Sequence, residues 1–342
     1  MSRFLGRGKE LHDKKAKVGV LVTNLGTPEA PTAAALRTYL REFLSDPRVV
    51  EIPRIVWIVI LHGIILRIRP KKSAALYKSI WTDEGSPLLV ISKQQKEKLA
   101  IKLAEKYGDN VTVSLAMRYG NPSIENALNS FQKEGVNDII VLPLYPQFAG
   151  PTVASTFDAV VNTLQKWRWI PNLRFISGYH DNPKYINALA NTVIEHIATH
   201  GKPDKLVLSY HGMPKLFLDN GDPYFCFCHK TTRLLAEQLN LSEDDFVLTF
   251  QSRFGKAEWL QPYTDVTLAK LAEEGHKHVA IISPAFSADC LETLEELVHE
   301  NKEIFMEAGG EEYHYIPALN DRDDHIKAIE NVLQPALQSL IR

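Results

Sequence analysis

Short runs of Val, Ile and Leu alternate with longer amphipathic stretches along most of this chain. Continuous apolar runs of this length are typical of parallel strands covered on both faces, and the amphipathic stretches between them predict the covering helices. The sequence therefore predicts an α/β protein, and this many strands in 342 residues suit two sheets better than one. The predicted strands are 17–23, 111–117, 138–144, 172–176, 205–210, 246–250 and 278–283, and clear helical patterns lie at 91–107, 184–199, 231–239 and 323–341.

Most of the predicted strands end in a polar or Gly/Pro-rich turn. In open α/β sheets, ligands bind at the carboxyl ends of the strands, so these turns predict a shared ligand site. No low-complexity linker separates the two predicted sheets, and the boundary is expected near 170–180. The turns are NLGTPE (24–29), MRYGNP (117–122), LYPQFAGPT (144–152), SYHGMP (209–214), FQSRFG (250–255) and SPAFSAD (283–289).

One histidine follows a predicted strand directly. His211 stands in SYHGMP, where Gly212 and Pro214 are expected to set the turn. A histidine in this position is either a hydrogen-bonded structural residue or a base or metal ligand that faces the ligand site.

A run of carboxylates, SADCLETLEELVHE, begins just after another predicted strand. Glu292, Glu296 and Glu300 are spaced by four, so a helix would place them in one stripe, although like charges at that spacing destabilise a helix by about 0.2–0.5 kcal/mol per pair. The stripe is either a solvated acidic face or a polar track for cations or protons. Asp289 is expected to cap the helix, and Glu295, which falls off the stripe, is expected to be solvated.

The histidine and the first glutamate of the stripe form a plausible pair of metal ligands. His211 with Glu292 suits a divalent first-row metal. Two ligands hold a metal weakly compared with a closed cage of four, which favours a metal in transit over a structural one. Cys226 and Cys228 in FCFCHK do not have the usual zinc spacing, and no second cysteine pair lies nearby.

Composition and charge exclude several classes of protein. The net charge of −2 gives no reason to expect nucleic acid as a partner. Three cysteines are too few for a disulfide framework, and the N-terminus has no apolar run of the secretory kind, so a cytoplasmic protein is expected. GTPEAPT (26–32) does not match the dinucleotide-binding fingerprint, and no Walker P-loop is present.

One apolar segment, IVWIVILHGIIL (55–66), is too short to span a bilayer. It is either a buried core helix or an exposed apolar lip that meets a membrane surface or an apolar ligand. Its basic flanks would then face anionic lipid; they are Arg54, Arg67, Arg69, Lys71 and Lys72.

Taken together, the motifs of this chain resemble those of ferrochelatases, the enzymes that insert ferrous iron into protoporphyrin IX in the last step of haem synthesis. The resemblance covers nearly the whole chain and is nearest to the enzymes of Gram-negative bacteria. The motifs are TNLGTPEAPTAAALRTYLREFLSDPRVVEIP (23–53), GSPL (85–88), MRYGNP, PLYPQF, SYHGMP, GDPY (221–224), TFQSRFGKAEWLQPYTDVTL (249–268) and FSADCLETLEEL (286–297).

The resemblance implies two Rossmann-like domains, each a parallel sheet flanked by helices, with a porphyrin cleft between them. The first domain would comprise 1–172 and a returning C-terminal helix within 314–342, and the second would comprise 173–313. The segment 53–69 corresponds to an apolar lip at the mouth of the cleft, through which the protein is expected to contact the inner membrane transiently.

The resemblance also implies roles for individual residues. His211 matches the essential histidine and Glu292 its partner carboxylate, and both are expected to act in catalysis and in holding the metal. Glu296 and Glu300 match a proton or metal conduit on a locally widened helix. The positions expected to bind the porphyrin are Arg118, Tyr119, Trp259 and Phe286.

The sequence departs from the family pattern at a few positions. Cys290 stands where many members carry a histidine, which argues against a general requirement for histidine there, and Leu25 stands where some relatives have methionine. The stretch NVLQPALQSLIR lacks the cysteines of the animal enzymes, so no C-terminal iron–sulfur cluster and no cofactor beyond the substrate Fe²⁺ are expected. A monomer is expected. The alternatives are a coproporphyrin III ferrochelatase, a cobalt or nickel chelatase for a reduced tetrapyrrole, and a porphyrin- or haem-binding carrier without catalysis.

Overall fold

The computed structural model describes residues 3–6, 8–11, 17–255 and 257–341, which form two compact units. The first unit comprises the described residues up to Tyr145, Gly150–Gly178 and those from Ile329 onward. The second comprises Pro146–Ala149 and Tyr179–Ala328. The predicted domain ranges stay a prediction, because these units are defined by contacts and not by independent folding.

The first unit contains a four-stranded parallel sheet in the order β2-β1-β3-β4. Its strands are β1 (Lys17–Gly26), β2 (Val111–Tyr119), β3 (Val136–Pro143) and β4 (Asn172–Phe175). Its helices are α1 (Ala33–Leu44), α2 (Arg54–Ile60), α3 (Leu66–Ile80), α4 (Pro87–Tyr107), α5 (Ile124–Glu134) and α6 (Ser155–Leu164), with π-helical turns at Leu61–Ile65 and Gly150–Ala154 and 3₁₀ turns at Lys9–Leu11 and Gly108–Asn110.

The second unit repeats this arrangement, with a four-stranded parallel sheet in the order β6-β5-β7-β8. Its strands are β5 (Lys205–His211), β6 (Phe246–Gln251), β7 (His278–Ile282) and β8 (Glu312–Ile316). Its helices are α7 (Pro183–His200), α8 (Lys215–Asp219), α9 (Tyr224–Leu239), α10 (Thr264–Glu273), the π-helical segment Glu292–Glu300 and α11 (Asn301–Glu307), while α12 (Asp323–Leu340) begins in this unit and ends in the first.

Each sheet is buried by the helices that the sequence pattern places between its strands. In the first unit, the fully buried Phe131 of α5 packs against Leu21 and Ile139 of the sheet. In the second, Leu268 of α10 packs with Val207 and other apolar residues of the sheet. The apolar runs are continuous because the central strands are covered on both faces, as the predicted fold class requires.

The predicted class of parallel sheets flanked by helices is confirmed, and each predicted strand overlaps an observed one. Strand β8 was not predicted, because its sequence EYHYI mixes polar with apolar residues. β8 is an edge strand, because in this sheet it pairs only with β7. An edge strand therefore needs no continuous apolar run.

The apolar segment 55–66 is not a buried core helix, so that alternative is wrong. Trp57 and Leu61 are buried in a small cluster against α1, and Trp57 Nε1 donates to the Leu44 carbonyl at 2.6 Å. The opposite face is open, with Ile55 84% and Val59 68% exposed. Among the described residues, none of the helices is both long and apolar enough to pass through a bilayer.

Candidate active site

Polar side chains of the second unit gather where its strands end. His211 is the last residue of β5 and pairs in register with Gln251, the last residue of β6. The loop after β7 leads into the π-helical segment Glu292–Glu300. The predicted meeting of strand-end residues therefore occurs within this unit, at the carboxyl edge of its sheet.

His211 has one ring nitrogen fixed by the backbone. Its Nδ1 lies 2.7 Å from the carbonyl oxygen of Gly212. Because a carbonyl can only accept, the proton sits on Nδ1, and Nε2 is left as the basic nitrogen. The half-buried ring lies 6.4 Å from the ring of Phe286, measured between centroids, so the two predicted site residues are neighbours.

The turn after His211 requires glycine. The Gly212 amide donates to the Gln251 carbonyl at 2.7 Å, and a Cβ at this position would lie 2.6 Å from that oxygen and 3.2 Å from the Trp259 ring. No side chain fits so close to a backbone atom. Trp259 covers the turn and is held there by a 2.8 Å hydrogen bond from its Nε1 to the Phe254 carbonyl.

The Glu296 carboxylate is held by hydrogen bonds from Gln251 and Ser252. It accepts hydrogen bonds from the Ser252 amide at 2.7 Å, from Gln251 Nε2 at 3.1 Å and from the Ser252 hydroxyl. Burial raises the pKa of Glu296, while the hydrogen bonds from Ser252 and Gln251 and the charge of His211 oppose that rise. With its raised pKa, Glu296 can exchange a proton closer to neutral pH than an exposed glutamate.

Ser252 holds that carboxylate from a backbone conformation that side chains rarely adopt. Its φ is +63°, in the left-handed region that favours glycine. This conformation directs both its amide and its hydroxyl at Glu296. Such a conformation costs of order 1–3 kcal/mol and persists only where the surroundings enforce it, often at functional sites. The pattern of FQSRFG predicts a strand-end turn, but no local signal in it marks this serine as a site residue.

Glu292 lies at the start of the π-helical segment, beside Cys290. Its carbonyl accepts a 2.8 Å hydrogen bond from Gln251 Nε2, which ties the segment to β6. Cys290 is buried, and burial together with the negative charge of Glu292 raises the pKa of its thiol well above the ordinary value. Cys290 is therefore a neutral thiol next to the predicted partner carboxylate.

Asp289 does not cap the helix as predicted. The residue at the cap position is Leu291. The buried carboxylate of Asp289 instead accepts hydrogen bonds from Thr293 Oγ1 at 3.0 Å, Tyr315 Oη at 2.6 Å and Asn320 Nδ2 at 2.7 Å. Asp289 thus anchors the loop after β7 to the end of β8 and fixes where the acidic segment begins.

The acidic segment is π-helical, which confirms the widened helix that the resemblance implied. Glu300 is exposed, at the end of the predicted stripe. The expectation that Glu295 is simply solvated is wrong, because its side chain is partly buried. Burial, followed by the charges of Glu300 and Glu296, raises the pKa of Glu295 to about 6. In a π-helix residues five apart are hydrogen-bonded neighbours, so Glu295 and Glu300 fall on one face.

The two predicted porphyrin-binding residues of the first unit belong to a hydrogen-bonded network at the end of β2. Arg118 Nε donates to the Ser155 carbonyl at 2.9 Å and hydroxyl at 2.6 Å, and its Nη2 pairs with Asp46. Tyr119 Oη donates to Asp46 at 2.9 Å. Burial acts to raise the pKa of Asp46, but hydrogen bonds from Ser155, the Arg48 amide and Tyr119 outweigh it and hold the pKa below its ordinary value.

This network changes the interpretation of both residues. The Tyr119 side chain, expected to bind the porphyrin, is fully buried in this structure, and its hydroxyl positions Asp46. The Arg118 side chain keeps 17% of its surface exposed, so part of its guanidinium can still meet a ligand.

The raised pKa of Glu295 predicts how stability depends on pH. A carboxyl whose folded pKa is raised contributes stability below its ordinary value of 4.5 and loses that contribution as the pH rises through about 6. We therefore expect the free energy of unfolding of the natural chain, relative to that of Glu295→Gln, to fall across this interval. Urea denaturation of both proteins below and above it measures the difference. Glu307→Gln, at an exposed position on α11, is the control. The raised pKa of Glu295 would be contradicted if the difference in free energy of unfolding stayed constant with pH, or if Glu307→Gln gave the same pH dependence.

Comparisons with known proteins agree with this geometry. A family model described as Ferrochelatase matches residues 17–337. The chain is 61% identical to Ferrochelatase 2 of Shewanella oneidensis, covering 95% of this chain and 99% of that protein. It is 56% identical to the ferrochelatase of Thioalkalivibrio sulfidiphilus, covering 97% and 90% of the two chains.

Solved structures give the same fold at much lower sequence identity. SirB from Bacillus subtilis with Fe³⁺ matches with a TM-score of 0.57 and 11% identity, over 95% of this chain and 98% of that one. CbiX, described as the terminal enzyme of sirohaem biosynthesis in denitrifying bacteria, matches with a TM-score of 0.50. The sequence relatives are from Gram-negative bacteria, as the motifs predicted, and this chain belongs to the ferrochelatase family.

Proposed function

We propose that this protein inserts Fe²⁺ into protoporphyrin IX, releasing two protons and giving protohaem, the last step of haem synthesis. The observation that carries the proposal lies at one sheet edge: His211, whose Nε2 is the basic nitrogen, pairs in register with Gln251, and the Gln251 side chain donates to the partly buried Glu296 carboxylate. Membership of the ferrochelatase family supports the same reaction. A carboxylate and an imidazole are the groups that metal insertion needs, because protons must leave as the metal enters.

His211 is the proposed base. Metal insertion replaces two N–H protons of the macrocycle, and a general base must lie within hydrogen-bonding reach of the proton that it removes. With Nδ1 fixed on the Gly212 carbonyl, His211 presents Nε2 in a constant orientation. Glu292 is proposed to take the proton onward, and the two side chains together to hold the entering Fe²⁺ weakly.

Aromatic residues beside the base are proposed to hold the porphyrin. A flat free-base macrocycle keeps its nitrogen lone pairs in its own plane, so bending the ring should lower the barrier to metal entry. Trp259 and Phe286 lie beside His211 and its turn. Binding of the macrocycle against these rigid rings can favour its bent form. In the first unit, Arg118 is proposed to meet a porphyrin carboxylate.

The π-helical segment is proposed as the conduit that carries protons out or Fe²⁺ in. Glu296 and Glu300 are its predicted members, and the raised pKa of Glu295 supports adding that residue. Carboxyl groups with raised pKa values alternate between protonated and ionised forms near physiological pH, as a proton path requires.

The setting of the protein in the cell is part of the proposal. We propose a monomeric cytoplasmic enzyme with no iron–sulfur cluster and no cofactor beyond its iron substrate. The lip, 53–69, is proposed to rest on the inner membrane, where an apolar porphyrin can enter directly. Its open apolar face beside a basic flank supports surface contact.

Replacing the proposed base tests the mechanism. We expect His211→Ala to fold and bind protoporphyrin IX but to lose about 10²–10⁴-fold in the rate of insertion, the usual contribution of a general base. The assay follows metalloporphyrin formed from excess free base with Fe²⁺, or with Zn²⁺ as a fluorescent substitute. Normal turnover in His211→Ala would overturn the assignment, and His276→Ala, at another histidine of the same unit, is the control.

The same assay separates the alternatives. A carrier would give at most one equivalent of complex per chain, whereas steady turnover of excess porphyrin requires an enzyme. Faster turnover of coproporphyrin III than of protoporphyrin IX, or of a reduced tetrapyrrole with Co²⁺ or Ni²⁺, would overturn the proposed substrate.

Removing the Ser252 hydroxyl tests whether Glu296 acts as an ionised group. The hydroxyl opposes the burial that raises the pKa of Glu296, so Ser252→Ala should raise that pKa further. We expect the acidic limb of the kcat–pH profile to move to higher pH, with little change in KM for porphyrin. Ser339→Ala, at an exposed serine of α12, should leave the profile unchanged; an unshifted profile in Ser252→Ala would contradict the role of Glu296.

Charge placed on the lip tests membrane contact. Because Ile55 and Val59 are the most exposed apolar residues of the lip, the double change Ile55→Glu and Val59→Glu should abolish sedimentation with anionic vesicles while the protein still turns over a water-soluble porphyrin. Ile101→Glu, at a 61% exposed residue of α4 outside the lip, is the matched control. Equal loss in both proteins, or none in the lip variant, would argue against the proposed surface.

A further inference from the structure

A cluster of four histidines lies at the other edge of the second sheet from His211. His196 and His200 occupy the last two turns of α7. His278 is the first residue of β7. His314 lies on β8, whose first residue is Glu312. Since the strands are parallel and His211 ends β5, these amino-end residues are separate from the proposed insertion site.

The rings of this histidine cluster are in mutual contact. The ring centroids of His196 and His200 are 4.4 Å apart, and His314 lies 4.5 Å from His200 and 5.2 Å from His196. One nitrogen from each of these three residues lies within 4.8 Å of the others. The same limit holds for a ligand atom from each of His278, Glu312 and His314, so two donor sets share His314.

Two nitrogens of the cluster are buried and have no hydrogen-bond partner in the described structure. They are Nε2 of His196 and Nε2 of His278. Buried polar atoms are nearly always satisfied, so an orphaned pair beside other imidazoles points to a missing ligand.

A second contact orients one of the outer ligands. His200 Nδ1 lies 3.3 Å from the His196 carbonyl, to which it can only donate. A metal-binding histidine commonly donates its other ring nitrogen to a carbonyl or carboxylate in this way. His200 Nε2 is then the nitrogen available to an ion.

We propose that His196, His200 and His314 bind a divalent first-row transition metal ion, with Glu312 and His278 beside it as further donors. Imidazole ligands suit zinc, nickel, copper and iron, whereas magnesium and calcium prefer oxygen. Three protein ligands leave a position for water or Glu312. The bound ion joins the end of α7 to β8 and stabilises the second unit in proportion to its occupancy.

Metal titration of the full chain in a His211→Ala background tests this site, because that background weakens the proposed insertion site. We expect about one equivalent of Zn²⁺ to bind and to raise Tm, and Co²⁺ to give the visible spectrum of a nitrogen-ligated ion. Adding His200→Ala should remove the bound equivalent and the rise in Tm. Adding His276→Ala, at a nearby histidine outside the donor sets, should remove neither.

Further controls separate specific binding at the histidine cluster from misfolding and from binding at the insertion site. Mg²⁺ should not change Tm. His200 is exposed, so His200→Ala and the polar variant His200→Gln should both fold, as circular dichroism would show, and in an otherwise natural chain both should keep insertion activity. Equal Zn²⁺ binding with and without His200 would overturn the proposal. So would a bound equivalent seen in the natural chain but absent in His211→Ala, since the metal would then belong to the insertion site.

Discussion

The arrangement of residues at the carboxyl edge of the second sheet depends on the hydrogen bonds made to one partly buried carboxylate, that of Glu296. A buried charge is costly unless donors surround it, and Glu296 is met by donors from the end of β6. Ser252 reaches it only by adopting a left-handed backbone, while Gln251 binds both that carboxylate and the Glu292 carbonyl. The strand that pairs with β5 thus fixes the acidic segment relative to His211. The strained backbone of Ser252 thus helps to hold the carboxylates of the acidic segment in a fixed position relative to His211, which proton transfer requires.

The π-helical form of the acidic segment follows from the same demand. An α-helix would place one carboxylate stripe against the site and leave Glu295 in solvent. Hydrogen bonds that span five residues widen the turn, so that Glu295 and Glu300 fall on one face and Glu295 feels the charges of both Glu300 and Glu296. Partial burial, followed by repulsion from these charges, raises the pKa of Glu295, so the segment can exchange protons near physiological pH. The close spacing of carboxyl groups that destabilises the helix is the same spacing that suits them to proton exchange.

The sequence predicted the parallel sheets and the place of His211 because both follow from local pattern. Apolar runs indicate strands that are buried on both faces, and a polar residue at a strand end indicates the edge of the sheet where ligands bind. The features that were missed come from contacts between distant segments. Asp289 accepts hydrogen bonds from Tyr315 of β8 and from Asn320, and the buried Tyr119 hydroxyl donates to Asp46 from a separate loop. The histidine cluster joins α7, β7 and β8, whose residues carry no common local motif apart from one pair spaced by four.

The two edges of the second sheet offer a metal different sets of ligands. At the carboxyl edge the proposed pair is His211 with Glu292, and a metal held by so few ligands leaves readily, as a metal destined for a macrocycle must. At the amino edge three imidazoles converge and two orphaned nitrogens are buried, which favours an ion that stays. Because the two sets lie at opposite ends of the strands, an ion held at the amino edge does not occupy the point of insertion. One sheet can therefore hold a resident ion and pass on a substrate ion, provided that the two sites lie at opposite ends of its strands.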